Sequence, residues 1–263
     1  MSKLAQVTRA AGGILILLFL PISCPAAQQV TKQTPGTGAK RSMQTPTGHP
    51  KYLKAFVIDD RLSALRREPG LQSEVIRRIR LGHTVFIVGT SNPKAGQPRF
   101  CRVAVTRRTR GWLHESALAV KGRVGQDQHI LKLIEGNPDG VDRITLCRIL
   151  DAHFSHSRLV PRAMLLLGEE AERVAETLSQ RTHRRLAEVH GADVRLRDYY
   201  LSDAGLDRYS KLGVVFDFNE STGEFVYEGK AYREIVSRFP GGEEARRARE
   251  HLELNRRKMA QQH

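Results

Sequence analysis

The spacing of apolar residues changes near residue 125 and divides the chain into two parts. Before that point, short apolar runs at 56–58, 85–88 and 100–106 are separated by stretches rich in Gly, Pro, Asn and Asp. Runs of this length, rich in β-branched residues, are typical of strands joined by turns. The pattern predicts a small β-barrel over residues 51–122.

Turn residues indicate where the strands of this barrel end. Gly82 permits a tight backbone step before the strand at 85–88, and residues 90–99 contain two prolines and a glycine, which predict a hairpin loop. Residues 107–110 form the next predicted turn, and Gly111-Trp112-Leu113 closes the sheet.

Beyond residue 125, apolar residues recur every three to four positions, which is the period of a helix. Asn137-Pro138-Asp139 predicts a helix start, with Asn137 as the N-cap and Asp139 as an acid in the first turn. Pro161 opens a second predicted helix. The apolar face of its continuation consists of Ala171, Val174, Ala175 and Leu178.

The last sixty residues predict a hairpin and a pair of helices. A shorter helix is predicted over 202–212, and residues 214–227 predict a hairpin or an extended entry to the helices that follow. The face of the first C-terminal helix consists of Tyr232, Ile235, Val236 and Phe239. Pro240-Gly241-Gly242 ends that helix, and the small-residue face of the next consists of Ala245, Ala248 and Leu252.

The first 26 residues have the three parts of a secretory signal. Lys3 and Arg9 precede an apolar run at 14–20, and small residues follow. The run is short for a bilayer span, so residues 1–26 are expected to be removed on export to the periplasm or cell envelope, with an uncut anchor as the alternative. Lipidation of Cys24 is a minority alternative because Pro21 precedes it where an aliphatic residue is usual. Membrane contact is expected only in that case.

Residues 27–50 are rich in Gln, Thr, Gly and Pro and show no apolar period. A segment of this composition cannot bury enough apolar surface to fold alone. We therefore expect a flexible linker between the signal peptide and the barrel.

Positive charge is concentrated in the predicted barrel. The chain has 43 Lys and Arg against 28 Asp and Glu, and residues 51–125 hold 16 of these bases but only five of the acids. Residues 126–263 hold 22 bases and 23 acids and are nearly neutral. This segregation favours an anionic partner for the barrel, such as a cell-wall polymer, lipid head groups or nucleic acid.

The barrel segment resembles the bacterial Src-homology-3-like (SH3b) domain. Ala64 replaces the usual Asn of that family, and Phe100 stands where a second Trp is common. The resemblance covers about a quarter of the chain, and it implies a module that binds peptidoglycan or proteins of the envelope. The residues that occupy the family's motif positions are Leu65-Arg66, Pro69, Gly82, Gly111-Trp112 and Ala117-Leu118.

The C-terminal helix pair is similar to the terminal pair of tetratricopeptide-like repeats. Ala231-Tyr232, Phe239-Pro240 and the spacing of Ala245 and Ala248 carry the likeness. Such repeats form protein-binding scaffolds, and a plain helical bundle is the alternative. The predicted fold class is α+β with two domains, a small SH3-like β-barrel followed by an all-α, tetratricopeptide-like region over 126–263.

The candidate ligand-binding residues are Arg107, Arg108, Arg110 and Trp112. Arginine offers paired donors to carboxylates and phosphates, so three arginines at one turn can hold an anion. A solvated turn is the alternative for the arginines, and a ring packed in the core is the alternative for Trp112. Arg66 is expected to donate hydrogen bonds to carbonyl groups of the barrel.

We find no residues with the spacing of a catalytic or metal site in the sequence. Cys147, His153 and His156 share one helical pattern, but offsets of six and nine residues place both histidines away from the face of Cys147. Cys101 is expected to be a buried thiol, unpaired with Cys147. We therefore expect no enzyme, no cofactor and no metal.

The predicted function is that of an exported, non-enzymatic adaptor of the cell envelope. The barrel is expected to contact peptidoglycan or another anionic polymer, and the helices are expected to contact a protein partner. A basic nucleic-acid-binding protein and a regulatory subunit of a cell-wall hydrolase are the alternatives. Export argues against nucleic acid, as does the expectation that most aromatic residues of the barrel lie in its core. Those residues are Tyr52, Phe56, Phe86, Phe100 and Trp112.

Overall fold

The computed structural model describes residues 52–188 and 205–260, without the side chains of 185–188. All described residues belong to one compact unit, Gly48–His263. The predicted signal peptide and linker therefore lie outside the described residues, as does the start of the helix predicted over 202–212. The described part is α+β, as expected.

Seven short strands form one antiparallel sheet. They are β1 (Leu53–Val57), β2 (Ala64–Arg66), β3 (Val75–Arg78), β4 (Thr84–Thr90), β5 (Phe100–Ala104), β6 (Arg110–His114) and β7 (Leu118–Val120). Their spatial order is β3-β2-β6-β5-β4-β1-β7. Single 3-10 turns at Asp60–Leu62 and Glu115–Ala117 precede β2 and β7. The strands predicted at 56–58, 85–88, 100–106 and 111–113 are confirmed as β1, β4, β5 and β6, and β2, β3 and β7 are additions to them.

The sheet has two edges and does not close into the predicted barrel. β3 is one edge strand, and all four of its residues are exposed. β7 is the other edge strand and is buried, with the Val120 N–H donating to Gln126 Oε1 at 3.4 Å. Because the chain enters its first helix beside β7, that edge is covered by helix and not by β3.

One face of the sheet packs into a core of its own. Its most deeply buried members include Leu65, Val85, Val103 and Leu113. Gly111 is required in this core because a Cβ atom there would lie 2.7 Å from the carbonyl oxygen of Arg66. Cys101 is buried in the same cluster as a free thiol, as predicted.

The helices follow the sheet. They are α1 (Gln126–Gly136), α2 (Gly140–His153), α3 (Val160–Glu188), α4 (Leu206–Ser210), α5 (Lys230–Arg238) and α6 (Glu243–Ala260). α1 has no counterpart in the sequence prediction. The predicted N-cap of α2 is wrong: Asp139 caps it, because its Oδ1 accepts the N–H groups of Val141 and Asp142 at 2.8 and 3.1 Å. Asn137 instead ends α1.

A hairpin interrupts the helical part, so residues 126–263 are not all-α. β8 (Phe216–Asn219) and β9 (Glu224–Tyr227) pair antiparallel, which confirms the predicted hairpin. The pair forms here because Phe216 and Phe218 alternate with polar residues in β8, and because β9 is mainly apolar and aromatic. Gly223 adopts a φ of +70° in the connecting turn.

Phe56 joins the sheet to the helices. It points away from the core of the sheet and belongs, with Ile58 and Ala119, to the large apolar cluster of the helical part. Its ring stacks on His153 of α2, with 3.7 Å between the ring centroids and an interplanar angle of 13°. The contacts therefore do not separate the sheet from the helices near residue 125.

The C-terminal helix pair packs against α3 as a close contact of small and aromatic residues. Tyr232, Ala245 and Ala248 are fully buried, in agreement with the predicted faces of α5 and α6. α3 runs without a break through Gly168, and the ring of Tyr232 lies against this glycine. A Cβ atom at residue 168 would overlap the ring carbons of Tyr232.

Replacing Gly168 by Ala is expected to lower the free energy of unfolding by about 1–2 kcal/mol. The overlap with Tyr232 costs more than the roughly 1 kcal/mol of helix propensity that alanine gains. Urea unfolding followed by circular dichroism measures the change. Gly136→Ala is the matched control because nothing lies within 4 Å of that Cβ position. Equal stability of the two variants would contradict the close contact.

Acidification is expected to weaken the junction between Phe56 and His153. Burial lowers the pKa of His153 in the folded chain, and Lys54 and Lys121 lower it further. The unfolded chain, with an ordinary histidine pKa of about 6.5, then takes up the proton more readily than the folded one. The contribution of His153 to the free energy of unfolding is therefore complete above a pH of about 6.5. It is lost as the pH falls from there through the lower pKa that His153 has in the folded chain.

The measurement is urea unfolding at pH 8 and pH 5.5 of the wild type and of His153→Phe, which keeps a ring for stacking. The variant is expected to lose less stability on acidification than the wild type. The same loss in both proteins would show that His153 does not contribute to the pH dependence.

Candidate functional site

Three of the four candidate residues lie where β5 turns into β6. Arg107 and Arg108 are in the turn, Arg110 begins β6, and all three are exposed. The hydroxyl oxygen of Thr106 accepts the N–H of Thr109 at 2.9 Å, and the Val105 N–H donates to the carbonyl of Thr109 at 2.9 Å. The backbone of the turn is thus held by its own hydrogen bonds, and the arginine side chains extend from it.

Two of these arginines line a groove on the face of the sheet opposite to its core. This groove, called the outer groove below, has a volume of about 320 Å³. Arg107 and Arg110 lie at it, whereas Arg108 does not. The other lining residues are Tyr52, Phe86, Val88, Ala104, Val105 and Thr106.

The outer groove contains two of the five aromatic residues of the predicted barrel. Tyr52 is 53% exposed and Phe86 is 43% exposed, and only Phe56 and Phe100 of the five aromatic residues are buried, so the expectation that most of them lie in the core is wrong. Phe86 lies outside because its neighbour Val85 is in the core of the sheet, and successive residues of a strand face opposite sides. Period-two counting from Val85 is the sequence signal that locates it.

Trp112 lies on the same face but outside the outer groove. It is half-buried and belongs to neither buried cluster, so it does not pack in the core. In the sheet register it is opposite Arg102 of β5 and Arg66 of β2. A terminal amino group of Arg66 donates to the carbonyl oxygen of Ser73 at 2.6 Å, which confirms the predicted structural role of Arg66.

The cations of this face keep their charge uncompensated by nearby carboxylates. Among the described residues, no ion pair involves Lys54, Arg66, Arg102, Arg107 or Arg110. By contrast, Arg99 and Arg123 pair with Glu115, at 3.8 and 2.8 Å. The arrangement can bind an anion through guanidinium groups while a flat ring or apolar group covers the aromatic residues.

The residues considered for catalysis lie apart from the outer groove. Cys147 is buried in the helical core, and burial raises the pKa of its thiol to about 12. His153 is occupied by its stacking on Phe56. Within residues 52–188 and 205–260, no group of three or more His, Cys, Asp or Glu side chains has the arrangement of a metal site. Over the same ranges, no helix has the length and apolar character of a membrane span.

Comparisons with known proteins find no matching family, no matching curated protein and no matching solved structure.

Cys101 and Cys147 are expected to resist alkylation in the folded protein. Both are free, and burial is the main cause that raises the pKa of Cys101 to about 11 and that of Cys147 to about 12. At pH 8 neither thiol has a substantial thiolate fraction, and the thiolate is the reactive form. Mass spectrometry after iodoacetamide treatment is expected to show both sites modified in urea and neither in buffer. Rapid modification of the folded chain would contradict their burial.

Proposed function

We propose that this protein is an exported, non-enzymatic adaptor of the cell envelope whose sheet binds peptidoglycan or another anionic polymer. The observation that carries the proposal is the outer groove, in which exposed Tyr52 and Phe86 lie beside Arg107 and Arg110, which form no ion pair within the described residues. This groove belongs to the part of the chain that holds 16 bases against five acids. The N-terminal pattern of Lys3, Arg9 and the apolar run at 14–20 supports export.

The two parts of the fold are proposed to be an SH3-like module and a tetratricopeptide-like scaffold. Seven short antiparallel strands support the first. Gly82 has a positive φ just before β4, and Gly111 in β6 leaves no room for a Cβ atom, so both glycines of the resemblance stand where the backbone requires glycine. Supporting the second is the packing of α5 and α6 through Tyr232, Ala245 and Ala248. In this proposal the helical part contacts a protein partner.

Nucleic-acid binding is the second candidate, and one observation favours it more than the sequence did. Aromatic residues exposed beside arginines form the kind of surface on which unpaired bases stack while phosphates meet cations. Tyr52 and Phe86 with Arg107 and Arg110 meet that description. The two candidates differ in ligand, so direct competition between ligands separates them.

The test uses the chain without residues 1–26, incubated with purified cell-wall sacculi and with single-stranded DNA across a salt series. The wild type is expected to remain on sacculi in moderate salt. Arg107→Gln/Arg110→Gln is expected to weaken retention about tenfold or more, since charge-assisted hydrogen bonds contribute about 1.5–3 kcal/mol each. Tyr52→Ala/Phe86→Ala is expected to weaken it to a similar extent, since each stacking contact of an aromatic ring contributes about 0.5–1.5 kcal/mol.

The matched control is Arg158→Gln/Arg256→Gln, which removes the same charge from exposed positions of the helical part. Weakening by the control as strong as that by the groove variants would show that overall charge, and not the outer groove, holds the polymer. Tighter retention on DNA with a steep salt dependence would instead select the second candidate.

A further inference from the structure

A second set of cationic and aromatic residues lies beside the outer groove on the same face of the sheet. In the register of the strands, Lys54, Phe86, Ala104 and Arg110 lie opposite one another in one row across β1, β4, β5 and β6. A second row, two residues further along β5 and β6, contains Arg102 and Trp112. Cross-strand partners project from the same face of a sheet, so both rows share the face of the outer groove.

We propose that these two rows form one track, and that its ligand is an extended carboxylate-bearing glycan and not a small molecule. The inference rests on the proposed function for the class of polymer and adds where along the sheet that polymer runs. The outer groove is the first subsite of the track, and Arg102 with Trp112 is the second.

The separation of the subsites requires a long ligand. From Phe86 on β4 to Trp112 on β6 the path crosses two strand spacings, about 10 Å in total, and also shifts along the strands. A single ring stacked on Phe86 therefore does not reach Trp112. A chain of linked rings covers both subsites and places successive anionic groups beside different arginines.

Small residues border the path along the sheet from the outer groove to Arg102 and Trp112. Ala104 lies between Phe86 and Arg110 in the first row, and Gly89 lies opposite Arg102 beside the second. A Cβ atom on Gly89 would be 3.7 Å from the Cβ of Arg102, so the glycine leaves the flank of this arginine uncovered. Large residues at these two positions would separate the subsites with a ridge.

Charge selects the ligand of the track. Neither row contains an acid, and both contain cations that form no ion pair among the described residues: Lys54, Arg110 and Arg102. Each row also offers an aromatic ring, Phe86 in the first and Trp112 in the second. A polymer that repeats a ring and an anionic group matches this alternation, whereas a neutral glycan leaves the arginines unpaired.

The test measures the affinity of oligogalacturonates from the dimer to the hexamer by isothermal titration calorimetry, with the chain without residues 1–26. Each ring of this probe carries one carboxylate. Wild-type affinity is expected to rise with length and then level off. Arg102→Gln is expected to lower hexamer affinity about tenfold and to leave dimer affinity unchanged, since the dimer occupies the outer groove alone.

Arg77→Gln is the matched control. Arg77 is an exposed arginine of the same sheet, but it lies opposite Leu65, whose side chain is in the core of the sheet, so it belongs to the other face. Its replacement is expected to leave the length dependence intact. Trp112→Leu, checked for folding by circular dichroism, is expected to reproduce the effect of Arg102→Gln.

Equal weakening by Arg102→Gln and Arg77→Gln, wild-type affinity that does not change with length, or no binding of the oligogalacturonates would each overturn the track. None of these results decides the proposed function, because retention of the wild type on sacculi is measured separately. A poly-dT oligonucleotide that binds with the expected length dependence when the oligogalacturonates do not would also overturn the glycan assignment and support the nucleic-acid candidate.

Discussion

The packing of Phe56 against the helices is the contact on which the arrangement of this molecule depends. A sheet of seven short strands has only a small core, and small cores give marginal stability. Here Phe56, Ile58 and Ala119 turn from the sheet into the cluster of the helical part, so the two parts share buried surface. The stack of Phe56 on His153 gives that contact a defined geometry.

This contact also determines which part of the outer face stays open. β1 contributes Phe56 to the helical cluster, but Lys54, two residues earlier on the same face, is exposed opposite Phe86. The helices therefore cover one end of the face and leave the other end to the outer groove. Because the same short strand contributes to both, the outer groove has a fixed position relative to the helices.

The strand pattern predicted the elements well and the exposure of individual residues less well. The apolar runs located the strands that contain the core residues Val85 and Val103, and the breaks at Gly82 and at residues 90–99 located the turns. The expectation that most aromatic residues of the barrel lie in its core is wrong, since Tyr52 and Phe86 are exposed, and period-two counting from Val85 places Phe86 outside. For Phe86, the position along the strand indicates exposure better than the hydrophobicity of the side chain does.

Other features depend on contacts between distant residues and have no local signal. α1 buries only Ile130 and Ile134 fully, which is too sparse a stripe to stand out in the sequence. Asn137 and Asp139 both suit an N-cap, and only the structure shows which carboxylate or amide reaches the free N–H groups of α2. The two edges of the sheet likewise follow from the burial of β7 beside α1, which the strand pattern does not contain.

Charge in this molecule is organised differently in its two parts, and that difference bears on how an exposed aromatic surface remains soluble. On the helices, several arginines pair with acids, as Arg247 does with Glu169 and Arg238 with Asp151 at 2.5 and 2.7 Å. On the outer face of the sheet, the arginines beside Phe86 have none among the described residues. Like charges around an apolar patch oppose association between copies of the chain, while they attract an anionic polymer. The same residues thus disfavour self-association and favour the proposed ligand. Because the hydrogen bond between Thr109 and Thr106 already orders the backbone of the turn, binding there costs mainly the conformational entropy of the side chains.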